Sequence, residues 1–93
     1  MSELLGETRI QELVQEIPNW KVEGKTLECT RTFKGFVEAV DFVNQLVQPA
    51  EQAGHHPDLE ISYNKVKISL TTHDAGGLTE QDFAMAKQIS ALG

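Results

Sequence analysis

Ile10, Leu13, Val14 and Ile17 recur at three- and four-residue steps, the spacing that stacks side chains on one face of an α-helix. Thr8, with Gln11 three residues later, offers a capping box at its start, and Pro18, which lacks an amide hydrogen, ends it. At Trp20 the period changes to two. Trp20 and Val22 alternate with polar neighbours, Gly24 supplies a turn, and Leu27, Cys29 and Phe33 alternate on the return, with Arg31 interrupting the apolar row. This predicts a β-hairpin.

After Gly35 the helical period resumes: Phe36, Val40, Val43, Val47 and Ala50 step by four, three, four and three, predicting a longer amphipathic helix with that stripe on the core. Pro49 falls near its end, so a broken or distorted last turn is expected before Gly54. Leu59, Ile61 and Tyr63, a turn at Asn64, and Val66, Ile68, Leu70 and Thr72 then predict a second hairpin, with Tyr63 as a strand packing residue. Gly76 and Gly77 interrupt the pattern. Thr79 with Asp82 three residues on opens a last helix whose Phe83, Ala86, Ile89 and Leu92 can face the core.

The element order is α-β-β-α-β-β-α. It implies an α+β fold, a four-stranded antiparallel sheet with helices packed on one face. The sheet's other face must be covered or polar, and its edges invite a partner chain.

Ninety-three residues suffice for a single domain spanning 1–93, whose small core gains from oligomerisation. Fourteen acidic against eight basic residues leave a net charge of −6, the wrong sign for tracking a phosphate backbone, so no direct nucleic-acid binding is expected. No stretch has the length of a membrane span or the form of a signal peptide, which predicts a cytoplasmic protein without membrane contact. Cys29 is the single cysteine, so it can form no intrachain disulfide and is read as a small core residue.

Candidate chemistry lies in three histidines. His55 and His56 fall in the connection from the long helix to the third strand, and His73 just past the fourth. Because those strands form a hairpin, their outer ends are neighbours and all three imidazoles can meet at one end of the sheet. Pro57 holds His56 toward an extended conformation. Isolated loop histidines are ordinarily just solvated, but a cluster offers both acid and base forms near neutral pH, which suits proton transfer. A three-histidine zinc site is less favoured: adjacent residues in extended chain point their rings apart, and no H-E-x-x-H spacing is present. No metal is therefore assigned. Cys29, Ser62 and Ser69 do not lie in a nucleophile-elbow context.

The stretch EQAGHHPDLEISYNKVKISLTTHDAGGLTEQD resembles the pterin-4a-carbinolamine dehydratases: Glu51-x-x-x-His55-His56-Pro57, Tyr63, His73 ten residues later and Asp82 nine beyond that. The amino-terminal half, with PNW and FKGFVEAVDFVNQLV, is similar too, so the resemblance spans nearly the whole chain. Pro49 departs from the family, whose helix continues into the histidines.

What the resemblance implies is a lyase that dehydrates 4a-hydroxytetrahydrobiopterin to quinonoid dihydropterin, recycling the pterin of aromatic amino-acid hydroxylases, with no cofactor. It carries catalytic roles to His55, His56 and His73: His55 and His73 as proton donors to the leaving hydroxyl, His56 as the group that holds the pterin and accepts the N5 proton. Pro57 and Asp82 are assigned to the substrate-binding side, Pro57 by fixing the histidine pair. Asp82 can also be a first-turn carboxylate favoured by the helix dipole, and Glu51 can orient His55 from one turn back. Homodimers or homotetramers are implied as well. Two alternatives stay open: a protein-binding regulatory module, since one branch of the family serves as a dimerisation cofactor of a transcription factor, and a dehydratase acting on another pterin, such as one related to the molybdenum cofactor.

Overall fold

The computed structural model describes residues 3–92. Helix α1 spans Glu7–Val14, with Gly6 at its N-cap and no side-chain cap. Thr8 is thus inside the first turn and forms no capping box, because the chain turns helical one residue before it and Glu7 supplies the acidic first-turn group. Nor does Pro18 stop the helix directly. After Val14 the chain winds through tighter turns, Ile17 N–H to Val14 O at 3.2 Å and Trp20 N–H to Ile17 O at 3.0 Å, which still bury Ile17 and Trp20.

Four strands, β1 (Lys21–Glu23), β2 (Thr26–Thr32), β3 (Asp58–Ser62) and β4 (Lys65–Leu70), form one antiparallel sheet in the order β1-β2-β4-β3. Between β2 and β3 runs helix α2 (Phe36–Ala53), and after β4 come a short 3₁₀ turn (His73–Ala75) and helix α3 (Glu80–Ser90). The predicted order and sheet are those observed.

Register separates the two faces. Leu27 lies opposite Leu70 and Cys29 opposite Ile68, so the central strands present an apolar inner face. The alternate positions pair Glu28 with Ser69, Thr30 with Lys67 and Glu60 with Lys67, so the outer face is polar and can meet water. Phe42 and Leu46 of α2 and Phe83, Ala86 and Ile89 of α3 cover the inner face. Trp20 closes one side, its Nε1–H donating to Ser90 Oγ at 2.9 Å.

Three further expectations need correction. The α2 stripe on the core is Ala39, Phe42, Leu46 and Ala50, whereas Phe36 and Val47 are 55% and 57% exposed. This helix carries two adjacent apolar stripes, and spacing alone cannot decide which of them meets the sheet. Pro49 lies inside α2 without ending it. Its missing amide leaves only the Gln45 carbonyl without a helical partner, and Gln45 is exposed, so water can serve. Tyr63 is not in a strand: it occupies the β3–β4 turn at φ 53° and is 68% exposed. Asn64 beside it anchors the turn, donating from Nδ2 to Phe33 O at 2.9 Å.

Arg31 does interrupt the apolar row, yet it stays on the core side. Its guanidinium carbon stands 4.7 Å from the Phe42 ring centre and 5.6 Å from that of Phe33, and Nη2 donates to Leu92 O at 3.2 Å. Among the described residues, no helix is long and apolar enough to cross a membrane.

Candidate active site

The site begins at the end of α2. Gly54 adopts the left-handed conformation (φ 63°, ψ 30°); its N–H reaches Glu51 O at 3.3 Å, and the His55 N–H reaches Ala50 O at 3.1 Å. This pair of bonds is the Schellman arrangement, which satisfies the last helical carbonyls and reverses the chain. Gly54 suits it because the left-handed region is costly for a residue with a Cβ. The reversal carries His55 inward, where it is 9% exposed, while His56 stays at the surface.

His55 meets a buried carboxylate. Its Nε2 lies 2.5 Å from Oδ1 of Asp82, a residue with no exposed surface. Asp82 Oδ2 accepts from the Thr72 hydroxyl at 2.8 Å and from the Thr79 N–H at 2.9 Å. Thr79 is the N-cap of α3 and Asp82 its third helical residue, so the carboxylate completes a capping box with one oxygen and holds a histidine with the other.

The hydrogens of this network can be assigned by elimination. A carboxylate only accepts, so the Thr72 proton points to Asp82. The 2.8 Å contact between Thr72 Oγ1 and Thr79 Oγ1 must then use the Thr79 proton, and Thr79 Oγ1 in turn accepts from the Gln81 N–H at 3.3 Å. On the other side His55 donates from Nε2, which leaves Nδ1 as the ring atom able to exchange a proton with a ligand. Among the described residues, no buried side-chain nitrogen or oxygen lacks a partner.

His56 has its own carboxylate, with Nε2 2.5 Å from Glu51 Oε2, and both side chains are largely exposed. Glu51 therefore orients His56 and not His55, because the reversal at Gly54 has turned His55 away from the helix. Pro57 is half-buried and leads directly into β3. His73 opens the 3₁₀ turn and is exposed, on a loop closed by an antiparallel bridge between Thr72 and Gly77.

Elements distant in sequence thus deliver His55, His56 and His73 to one open cleft of about 380 Å³, which Thr71, Thr72 and Asp74 also line. A hollow of about 500 Å³ between Trp20 and Lys67 is larger but contains no histidine. Among the described residues, no three His, Cys, Asp or Glu side chains are grouped as metal ligands. His55 and His56 each turn Nε2 to a different carboxylate.

The structure brings the three sequence-predicted histidines to one cleft and sets Asp82 behind His55, while sequence reasoning missed Thr72 and Thr79 as partners of Asp82. The Thr79-x-x-Asp82 spacing signalled a capping box, and nothing in it reveals that the second carboxylate oxygen reaches a histidine from another element.

The family of pterin 4 alpha carbinolamine dehydratase matches residues 3–92. A protein of Trichormus variabilis named "Putative pterin-4-alpha-carbinolamine dehydratase" is 59% identical over 92 residues, 99% of each chain. One of the same name from Nostoc punctiforme is 60% identical over 92 residues, again 99% of each. The crystal structure of a transcriptional coactivator/pterin dehydratase from Brucella melitensis superposes with a TM-score of 0.88 at 34% identity, covering 94% of this chain and 95% of that one. A pterin dehydratase-like protein described as a RuBisCO assembly factor in the alpha-carboxysome aligns with a TM-score of 0.66 at 25% identity, over 78% of this chain and 87% of its own. On sequence and on fold alike, this chain belongs to the pterin-4-alpha-carbinolamine dehydratase family.

Proposed function

We propose that the protein dehydrates a 4a-hydroxytetrahydropterin to the quinonoid dihydropterin, with the three histidines as proton-transfer groups. The observation that carries this reading is the convergence of His55, His56 and His73 on one cleft, with a buried carboxylate behind His55. Carbon 4a of the substrate bears a hydroxyl next to N5. Protonation of that hydroxyl lets the C4a–O bond break and water leave, the N5 lone pair forms the new C4a=N5 bond, and the N5 proton passes to a base. No electrons leave the pterin, so the step needs no redox partner.

His55 suits the donor role: with Nε2 held by Asp82, Nδ1 takes up a proton from solvent and passes it to the hydroxyl, and Asp82 compensates the charge of the imidazolium in between. His73 is the second donor to the hydroxyl, and His56, steadied by Glu51, accepts the N5 proton. Solvent returns the proton between turnovers. Positioned acids and bases contribute roughly 10²–10⁴-fold each, which is adequate for such an elimination.

The carboxysomal relative is described as an assembly factor, so a partner-binding role without turnover is the second reading. Self-association is part of the proposal as well: Val47 on α2 and Leu59 on the edge strand β3 are exposed apolar groups lining one hollow, and Phe36 and Ile61 are exposed on the same two elements. Sedimentation at micromolar concentration should give a dimer or tetramer.

The direct test is stopped-flow absorbance of freshly generated 4a-hydroxytetrahydropterin with chelator-treated protein. Acceleration that the His55→Ala, His56→Ala double variant loses supports the dehydratase. A folded wild-type protein that gives no acceleration overturns it in favour of the partner-binding role.

A further inference from the structure

Thr72 lies just beyond β4 and engages both sides of the cleft. Its side chain is held between two buried groups, donating to Asp82 Oδ2 at 2.8 Å and accepting from the Thr79 hydroxyl at 2.8 Å. Its main chain closes the loop that carries His73: the Thr72 N–H reaches Gly77 O at 3.0 Å, and Thr72 O accepts from Ala75, Gly76 and Gly77. His55 depends on Asp82 for its orientation, while His73 follows Thr72 directly in the chain. These two histidines come from different elements, the end of α2 and the turn after β4.

We propose that Thr72 is a positioning residue that fixes His55 and His73 relative to each other, its hydroxyl acting on His55 through Asp82. The role rests on the reading of the histidines as proton-transfer groups. With the Thr72 proton on Oδ2, that oxygen is committed to Thr72 and Thr79, and Oδ1 is left to His55. Removing the hydroxyl frees Oδ2 to compete for the imidazole N–H and lets the carboxylate rotate about its terminal bond, a soft torsion. It also leaves the Thr79 proton without its acceptor. Partners one step behind a reactive group typically matter 10–100-fold.

The variant to make is Thr72→Val, which keeps the β-branched shape, beside Thr72→Ser, which keeps the hydroxyl. The first reading is the ¹⁵N–¹H ring correlation spectrum of His55 in the ligand-free protein, and the second is kcat and KM for dehydration. Wild type and Thr72→Ser should show His55 protonated at Nε2. In Thr72→Val the tautomers should mix or the ring signals broaden by exchange, with kcat down about tenfold or more and KM little changed. An unaltered His55 spectrum in Thr72→Val overturns the proposal, whatever the turnover. So does a kcat loss that Thr72→Ser shares in full. If Thr72→Val does not fold, Thr72→Ala is read in the same way. Because the spectrum needs no substrate, a wild-type protein inert toward the pterin would defeat the dehydratase reading while the effect of Thr72 on His55 is still measured.

Discussion

His55 Nε2 and Asp82 Oδ1 lie 2.5 Å apart, 27 residues distant in sequence, and the Asp82 carboxylate is closed to solvent. One side chain thereby caps α3 and holds a histidine of the cleft by its Nε2. Removing its charge and removing the whole group should have different effects.

Asp82→Asn preserves the size of the side chain but offers an amide in place of an anion. Turnover should fall by roughly 10³–10⁴-fold, as expected when a histidine loses the carboxylate that sets its tautomer. Asp82→Ala should also unfold more easily, by about 2–4 kcal/mol, since the α3 cap is lost and Thr72 and Thr79 are left unpaired in a closed site. Urea titration beside stopped-flow turnover separates the two effects.

Gly54→Ala tests the chain reversal. An added Cβ meets no atom within 4 Å, so the cost is conformational only, about 1 kcal/mol for a left-handed residue with a side chain. Turnover should fall by more than stability does, because relief of that strain swings His55 away from Asp82. Equal activity at an unchanged His55 spectrum would contradict this account of the reversal.

Arg31→Lys keeps the charge and loses the flat group that lies on Phe42. Stability should drop by about 1 kcal/mol in urea titration, with kcat unaltered, since Arg31 lines no part of the histidine cleft.

Burial pushes the Cys29 thiol above its ordinary range, opposed by the nearby positive charge of Arg31. Above about pH 8.5 the unfolded thiol has lost a proton that the folded one keeps, so the unfolded chain binds fewer protons and stability falls as pH rises. The contribution is intact below that pH. A Cys29→Ala variant should show a shallower alkaline decline in urea midpoint between pH 7 and pH 10, and wild-type Cys29 should resist alkylation until the protein is unfolded.

The element order and sheet were legible because strands and helices differ in period, and the switch at Trp20 and again after Gly35 is abrupt. Which face of α2 turns inward was not, since Val43 and Val47 are as apolar as Phe42 and Leu46 and only the assembled sheet chooses between them. The histidine cluster could be placed from hairpin geometry alone. The pairing of the carboxylates could not: Glu51 has the helical spacing to reach His55, and the left-handed Gly54 between them redirects it to His56. Pro49 failed as a stop signal because its missing amide costs a single helical bond, to the carbonyl of Gln45, an exposed residue.

Because the His55 amide is itself one of the bonds that finish α2, the His55 ring and the last helical turn share a fate. Helix ends open more readily than the body of a domain. As temperature rises, each brief unwinding of the turn at Ala50–Gly54 takes His55 out of the cleft, so under the proposed dehydration the fraction of molecules able to turn over declines while the sheet is still intact. Heat inactivation should therefore begin several degrees below the calorimetric melting point and reverse on cooling.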